Sequence, residues 1–157
     1  MVKLNSASRL PSINSKVILT QTDTTVGFVS QNSIQLSSIK SRHDSKPFIK
    51  VYKNFQALKQ DNKRVPTSKK KIIRRLKKTT FIVKGFSFRV TEYSLHSSLL
   101  REFSWSYSTS ANQSGKNFSR TFCEAKADII IEDKNGLFEG QASKLYKVNN
   151  KKIKRLR

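Results

Sequence analysis

Apolar residues come in short bursts between polar stretches, and the spacing within each burst predicts an element. Val17-Ile18-Leu19 is continuous and predicts a buried strand. The Thr-rich stretch 20–27 behind it ends on Gly27, which permits a tight turn or a close backbone approach. Residues 33–42 predict a short helix, with Ile34, Ser38 and Ile39 on related faces. Residues 49–52 predict a strand entered through Pro47, 55–60 a helix, and 61–68 a polar turn containing Pro66. A basic helix is expected over 69–78, with Ile72, Ile73 and Leu76 on one face and cations over the rest. The segments 81–83 and 86–90 flank Gly85 as a hairpin would. Residues 94–103 read as a helix capped by Ser94, with Leu95, Leu99 and Leu100 inward. Ile129-Ile130-Ile131 is strongly strand-like, and 144–148 alternates as a half-exposed strand does. No internal repeat stands out. Strands and helices mixed in this order predict an α/β (mixed α+β) fold: a twisted mixed sheet flanked by helices in a single domain, 1–157. Its core is expected over about 15–148, with a loosely ordered basic tail over 149–157.

Composition narrows this picture. With 157 residues the chain suits one modest core, for which ten Phe supply large apolar groups. Lys plus Arg number 32 against 10 acids, a net charge of +22, so many cations face water or an anionic partner. Two readings of the excess stand side by side: nucleic acid or phosphate binding, and lysine enrichment that reflects composition alone. A single cysteine, Cys123, rules out an internal disulfide and a Cys-rich metal site, and it reads as a small buried residue. No metal site is expected. The first residues carry no long apolar stretch and no run is long enough to span a bilayer, so a cytoplasmic, non-membrane protein is expected. The basic helix offers too little apolar area for insertion at a membrane surface.

Four polar stretches could carry chemistry. Residues 21–27 cluster hydroxyls with Asp23, and read either as a small-ligand loop or as an ordinary Thr-rich turn. Lys40 and Arg42, followed by Pro47-Phe48, can converge on phosphate oxygens, or form a solvated charge pair. Residues 108–115, Ser-Thr-Ser-Ala-Asn-Gln-Ser-Gly, suit a loop that cradles phosphate or ribose without the spacing of a Walker loop; the plain alternative is a Ser-rich surface turn. Residues 138–143 read by themselves as a turn before the last strand.

In order and approximate spacing these stretches resemble the YrdC-like threonylcarbamoyl-AMP synthase family, with its YrdC/RibB-like fold. The matching segments are Thr22-Asp23-Thr24-Thr25-Val26-Gly27-Phe28, Lys40-Ser41-Arg42 with Pro47-Phe48, and Arg89-Val90. Thr109-Ser110-Ala111-Asn112-Gln113-Ser114-Gly115 and Gly140-Gln141-Ala142-Ser143 complete them, and the Thr-Ser-Ala-Asn-x-Ser-Gly run is the specific one. The chain looks like a short, divergent single-domain bacterial member. The resemblance implies an L-threonylcarbamoyladenylate synthase, a nucleotidyltransferase joining L-threonine, bicarbonate and ATP, with release of pyrophosphate. The product serves N6-threonylcarbamoyladenosine (t6A) modification of tRNA beside the anticodon. It further implies ATP binding by Lys40, Arg42, Thr80, Ser110 and Asn112, and threonine binding by Thr22, Thr24, Arg89, Thr109 and Ser143. Mg2+ is expected through the ATP phosphates, and no side chain is assigned a catalytic proton transfer. The departures are Gln21 in place of Pro, Val26 in place of Tyr, Val51 in place of a His, and Leu76-Lys77-Lys78 in place of Pro-Gly-Pro.

A second reading is a catalytically weakened module that binds double-stranded RNA or tRNA through a basic face. Its candidates are Lys69, Lys70, Lys71, Arg74, Arg75, Lys77 and Lys78. Other tRNA-modification proteins are possible partners under either reading. Trp105 and Tyr107 read as packing residues rather than as platforms for single-stranded bases.

Overall fold

A computed structural model describes residues 2–4, 13–41, 47–91 and 95–157. The strands are β1 (Val2–Leu4), β2 (Ile18–Gln21), β3 (Val26–Ser30), β4 (Ile49–Tyr52), β5 (Thr79–Val83), β6 (Phe86–Val90), β7 (Trp105–Ser110), β8 (Ile129–Ile131), β9 (Lys144–Val148) and β10 (Ile153–Arg155). The helices are α1 (Ser33–Lys40), α2 (Phe55–Gln60), α3 (Lys70–Arg75), α4 (Leu95–Phe103) and α5 (Arg120–Lys126). All the strands join one mixed sheet in the order β1-β8-β2-β3-β7-β4-β6-β5-β9-β10. Three pairings are parallel, β2 with β8, β4 with β6 and β5 with β9, and the others are antiparallel.

Local chemistry explains the boundaries. Asn32 caps α1 by accepting from the amides of Ile34 and Gln35, and Ser41 ends it in the left-handed region. Asn54 caps α2 through the Ala57 amide. The β5–β6 hairpin turns on Lys84 and Gly85, with φ of 50° and 78°. Two positive φ values suit the right-handed twist of the flanking strands, and Gly adopts its value without a steric penalty.

Alternation along the strands separates two faces. On one face Val26, Phe28 and Leu19 pack with Leu36 of α1, Phe48 and Cys123 of α5. Farther along it Tyr52, Phe81, Phe88 and Val148 pack with Leu58 of α2 and Ile73 of α3. Full burial of side chains of this size stabilises the fold by about 1.5–3 kcal/mol each. On the opposite face Ile18, Val29 and Ile129 pack under Leu99 and Phe103 of α4.

Several expectations change. The helix expected over 69–78 is only Lys70–Arg75, preceded by a 3-10 turn at Thr67–Lys69. Leu76 is already extended and Lys78 has a positive φ, so Lys77 and Lys78 lie outside the helix. Ile73 is buried there but Ile72 is exposed, because one turn of so short a helix touches the sheet through a single side chain. The expected loose tail forms β10, paired with β9, and Arg157 folds back onto Ser143. The loop expected from Ser108 begins later, since Ser108, Thr109 and Ser110 close strand β7. The capping position assigned to Ser94 lies outside the described residues.

Candidate active site

Beyond α4, on the same face of the sheet, lies a cavity of about 290 Å3. Its walls come from the β2–β3 turn, Ile49 of β4, Arg89 of β6, the end of β7, the segment before β9, and Arg157. Five of the residues assigned to threonine by resemblance, Thr22, Thr24, Arg89, Thr109 and Ser143, line it together with Ser110.

The β2–β3 turn is knotted by its own hydroxyls. Thr22 Oγ1 donates to the Thr25 carbonyl at 2.6 Å and accepts from the Thr24 and Thr25 amides, each at 3.3 Å. That hydroxyl is therefore spent on shaping the turn. Thr24 Oγ1 accepts from Arg89 Nη1 at 2.9 Å, and the same nitrogen meets Asp23 Oδ1 at 2.6 Å. The Arg89 and Asp23 side chains are 7% and 8% exposed, so this is a buried ion pair at the wall of the cavity. Among the described residues the buried Arg89 Nε has no hydrogen-bond partner.

Gly27 lets the turn lie against β7, since a Cβ there would stand 3.0 Å from the Thr109 carbonyl oxygen and 3.0 Å from Thr22 Cγ2. Gly140 is more tightly constrained: a Cβ would stand 2.1 Å from the Thr24 carbonyl oxygen. Its amide donates to Thr25 Oγ1 at 3.0 Å, and the Phe138 amide donates to Gln21 Oε1 at 3.1 Å. These ties bring Ser143 to the cavity. Thr80, fully buried, shares a 2.9 Å hydrogen bond with the Ser143 hydroxyl and so braces it from the sheet. Arg157 Nε donates to the Ser143 carbonyl at 3.1 Å. Arg157, Asp23 and Gly140 were not assigned as site residues from the sequence. Asp23 and Gly140 lay inside stretches already singled out, whereas Arg157 was one cation of a basic tail.

Three of the residues assigned to ATP by resemblance, Lys40, Ser110 and Asn112, form a second knot. Lys40, buried at the end of α1, donates from Nζ to the Ser110 carbonyl at 3.1 Å, the Asn112 carbonyl at 2.6 Å and Asn112 Oδ1 at 2.8 Å. Ser110 Oγ also donates to Asn112 Oδ1 at 2.8 Å, and Asn112 Nδ2 donates to the Lys116 carbonyl at 2.6 Å. Lys40 thus staples the loop after β7, and Cys123 lies buried nearby with its thiol pKa raised by burial. Arg42 lies outside the described residues.

Behind the site His96 is fully enclosed and shares a 2.7 Å hydrogen bond with Ser106 Oγ. Burial, with the Arg89 charge adding, lowers its pKa to about 3, so it is neutral at ordinary pH. The cations proposed for RNA sit elsewhere. Lys71, Arg74, Arg75, Lys77 and Lys78 are exposed, Lys69 and Lys70 half-buried, and Arg74 stacks over Phe55 at 4.4 Å.

The fold and cavity define a mixed-sheet α/β domain with an open polar site between a knotted threonine turn and a Lys-stapled serine loop. A family model for the Sua5/YciO/YrdC domain, described as "Telomere recombination", matches residues 14–157, and the chain belongs to that family. Among solved structures it resembles P. abyssi Sua5 in an H234A/Y235A variant, with a TM-score of 0.76 and 18% identity over 90% of this chain and 52% of that one. P. abyssi Sua5 complexed with L-threonine matches with a TM-score of 0.73 and 19% identity, over 90% of this chain and 50% of that one. Full-length HypF in its phosphate- and nucleotide-bound form matches with a TM-score of 0.70 and 13% identity, over 90% of this chain and 22% of that one. At these identities the likeness establishes the fold, and the chain spans about half the length of the Sua5 structures. The search of curated proteins returned no match.

Proposed function

We propose that the chain is an L-threonylcarbamoyladenylate synthase-like enzyme acting on L-threonine, bicarbonate and ATP, in service of tRNA t6A modification. The observation that carries this reading is the convergence of Arg89, Thr24, Ser143, Ser110 and Arg157 on one cavity. A guanidinium held by a buried carboxylate suits an amino-acid carboxylate, and a second guanidinium with a serine loop suits phosphate oxygens. The neutral amine of threonine takes up bicarbonate with loss of water. The resulting carbamate oxygen attacks the α-phosphorus of ATP, and pyrophosphate leaves. In this reading Arg89 and Ser143 hold threonine, with Thr22 and Thr80 shaping the two walls. Lys40, Arg42, Ser110 and Asn112 hold the nucleotide, and Arg157 faces the phosphates. Positioning and charge neutralisation carry the rate. Mg2+ enters with ATP as part of the substrate: among the described residues no group of His, Cys, Asp and Glu is arranged to hold a metal, and Asp23 is engaged by Arg89. The test is pyrophosphate release from ATP in bicarbonate buffer, which should require threonine. Tight binding of ATP and threonine without threonine-dependent release would overturn the enzymatic reading.

One observation favours RNA binding as a second reading. Residues 62–91 and 140–157 contain eleven and seven cations and no Asp or Glu. They supply α3 and the neighbouring strands β6-β5-β9-β10, so one end of the sheet has no acidic side chain. Lys147 and Lys154 stand directly opposite across β9 and β10, a like-charge pair that an anion would relieve. Binding of duplex RNA should weaken linearly in log K against log salt. Affinity unchanged between low and high salt would refute it.

A further inference from the structure

A second cavity, of about 400 Å3, opens on the opposite face of the sheet, between the two helix-covered core clusters. Adjacent residues at the start of β4 divide the two sites: Ile49 lines the cavity described above, while Phe48, just before the strand, and Lys50 line this one. Its other walls include Tyr107, Phe86, Lys63 and, from α1, Ser37. No acidic side chain lines it.

We infer that this groove binds a small aromatic ring bearing a phosphate or carboxylate. Lys50 Nζ lies 3.8 Å from the Trp105 ring centroid and is paired with Asp61 at 2.8 Å. Lys63 is exposed, lies 4.6 Å over the Phe86 ring, and its charge, with that of Lys50, helps hold the Asp61 carboxyl below its usual range. Phe48 and Tyr107 pack with ring centroids 6.5 Å apart on the adjoining wall. A wholly apolar ligand would take water from the Lys63 ammonium without replacing it, which is unfavourable. A bare anion would leave the ring surfaces wet. A ring with one anionic edge satisfies both walls: the rings of Phe48, Phe86 and Tyr107 take its face, and Lys63 with Ser33, Ser37 and Ser87 takes its polar edge, in a cavity of a size that fits small ligands. The inference is independent of the proposed enzymatic site, because no residue of that site other than the shared rim residue Pro47 lines this groove.

Trp105 is the only tryptophan and it contacts both Lys50 and Tyr107, so its fluorescence reports on the groove. The full chain would be titrated with adenosine monophosphate, 4-hydroxybenzoate, adenosine and inorganic phosphate. The ring phosphate, the ring carboxylate, or both should give a saturable change, with adenosine and phosphate each weaker by at least about tenfold. Lys63→Glu and Ser37→Gln should each weaken the response by about tenfold or more, while Ser110→Ala leaves it intact and Lys63→Glu leaves pyrophosphate release unchanged. Absence of saturation by either ring anion overturns the proposal, as does loss of the response in Ser110→Ala, or a Lys63→Glu response equal to wild type.

Discussion

Removing Asp23 should damage the fold first and the Arg89 wall of the cavity with it. The carboxylate and the Arg89 guanidinium are both more than nine-tenths buried and 2.6 Å apart. Deleting one partner of such a pair leaves the other charge desolvated and unpaired, at a cost of about 3–5 kcal/mol. For a chain of this length that lowers Tm by about 6–20 °C. Asp23→Ala is expected near the upper end and Asp23→Asn lower, because the amide oxygen still accepts one hydrogen bond from Arg89. A double-mutant cycle separates the pair from general disruption. Asp23→Ala and Arg89→Met each destabilise, and the double variant recovers part of the loss, giving a coupling of at least about 2 kcal/mol in urea unfolding. A coupling below about 0.5 kcal/mol would refute the assignment of this contact as the element that holds Arg89.

Gly140→Ala forces a Cβ against the Thr24 carbonyl and shifts the threonine turn. Threonine-dependent pyrophosphate release should fall by about 100-fold, and unchanged kinetics would show that the turn tolerates displacement. Lys40→Met removes the staple from three acceptors of the serine loop, which should cost about 1.5–3 kcal/mol and lower hydrogen-exchange protection over 111–116. His96 has a folded pKa below its unfolded value, so the unfolded chain takes up the extra proton as pH falls. Stability should decline from about pH 6.5 toward pH 3, with a slope contribution approaching 1.4 kcal/mol per pH unit, and His96→Gln should remove that contribution. Parallel pH profiles for the two proteins would refute it.

What the sequence made legible follows from where its signals are physically strong. Ile129–Ile131 and the Phe-rich hairpin around Gly85 are dense in apolar, β-favouring groups, and both appear as expected. β3 has no alternation to read, because all five of its residues are buried and Gly27 interrupts it. β7 carries four serine and threonine hydroxyls in six positions and mimics a loop, although Ser106 and Ser108 are buried inside the sheet. β10 is an edge strand that exposes Lys154 and Arg155, so its charge suggested a loose tail. In the site, the β2–β3 turn and the end of β7 line one cavity. Asp23 went unassigned because a lone carboxylate in a turn does not disclose its partner 66 residues away.

The departures from the family pattern also acquire a physical account. Gln21 stands where the family has Pro, and its side chain ties down Phe138, while its backbone pairs with Val26 across the β2–β3 ladder. Val26, in place of Tyr, is buried in the core beside Phe28, and Val51, in place of His, is buried in β4 opposite Arg89. Under the proposed function the threonine wall therefore rests on hydrogen bonds from side chains to the main chain and on one ion pair, with less side-chain surface offered to the ligand. Its Arg89 is already oriented by Asp23 and Thr24. The nucleotide end is different, since the Lys40 ammonium already donates to three protein oxygens. A triphosphate that recruits Lys40 must compete with those acceptors and loosen the serine loop. Under the proposed function the two sets of residues thus differ in preorganisation: Arg89, in the wall of the cavity, is set in advance, and Lys40, which lines a separate pocket with Ser41 and Gln113, is set by exchange.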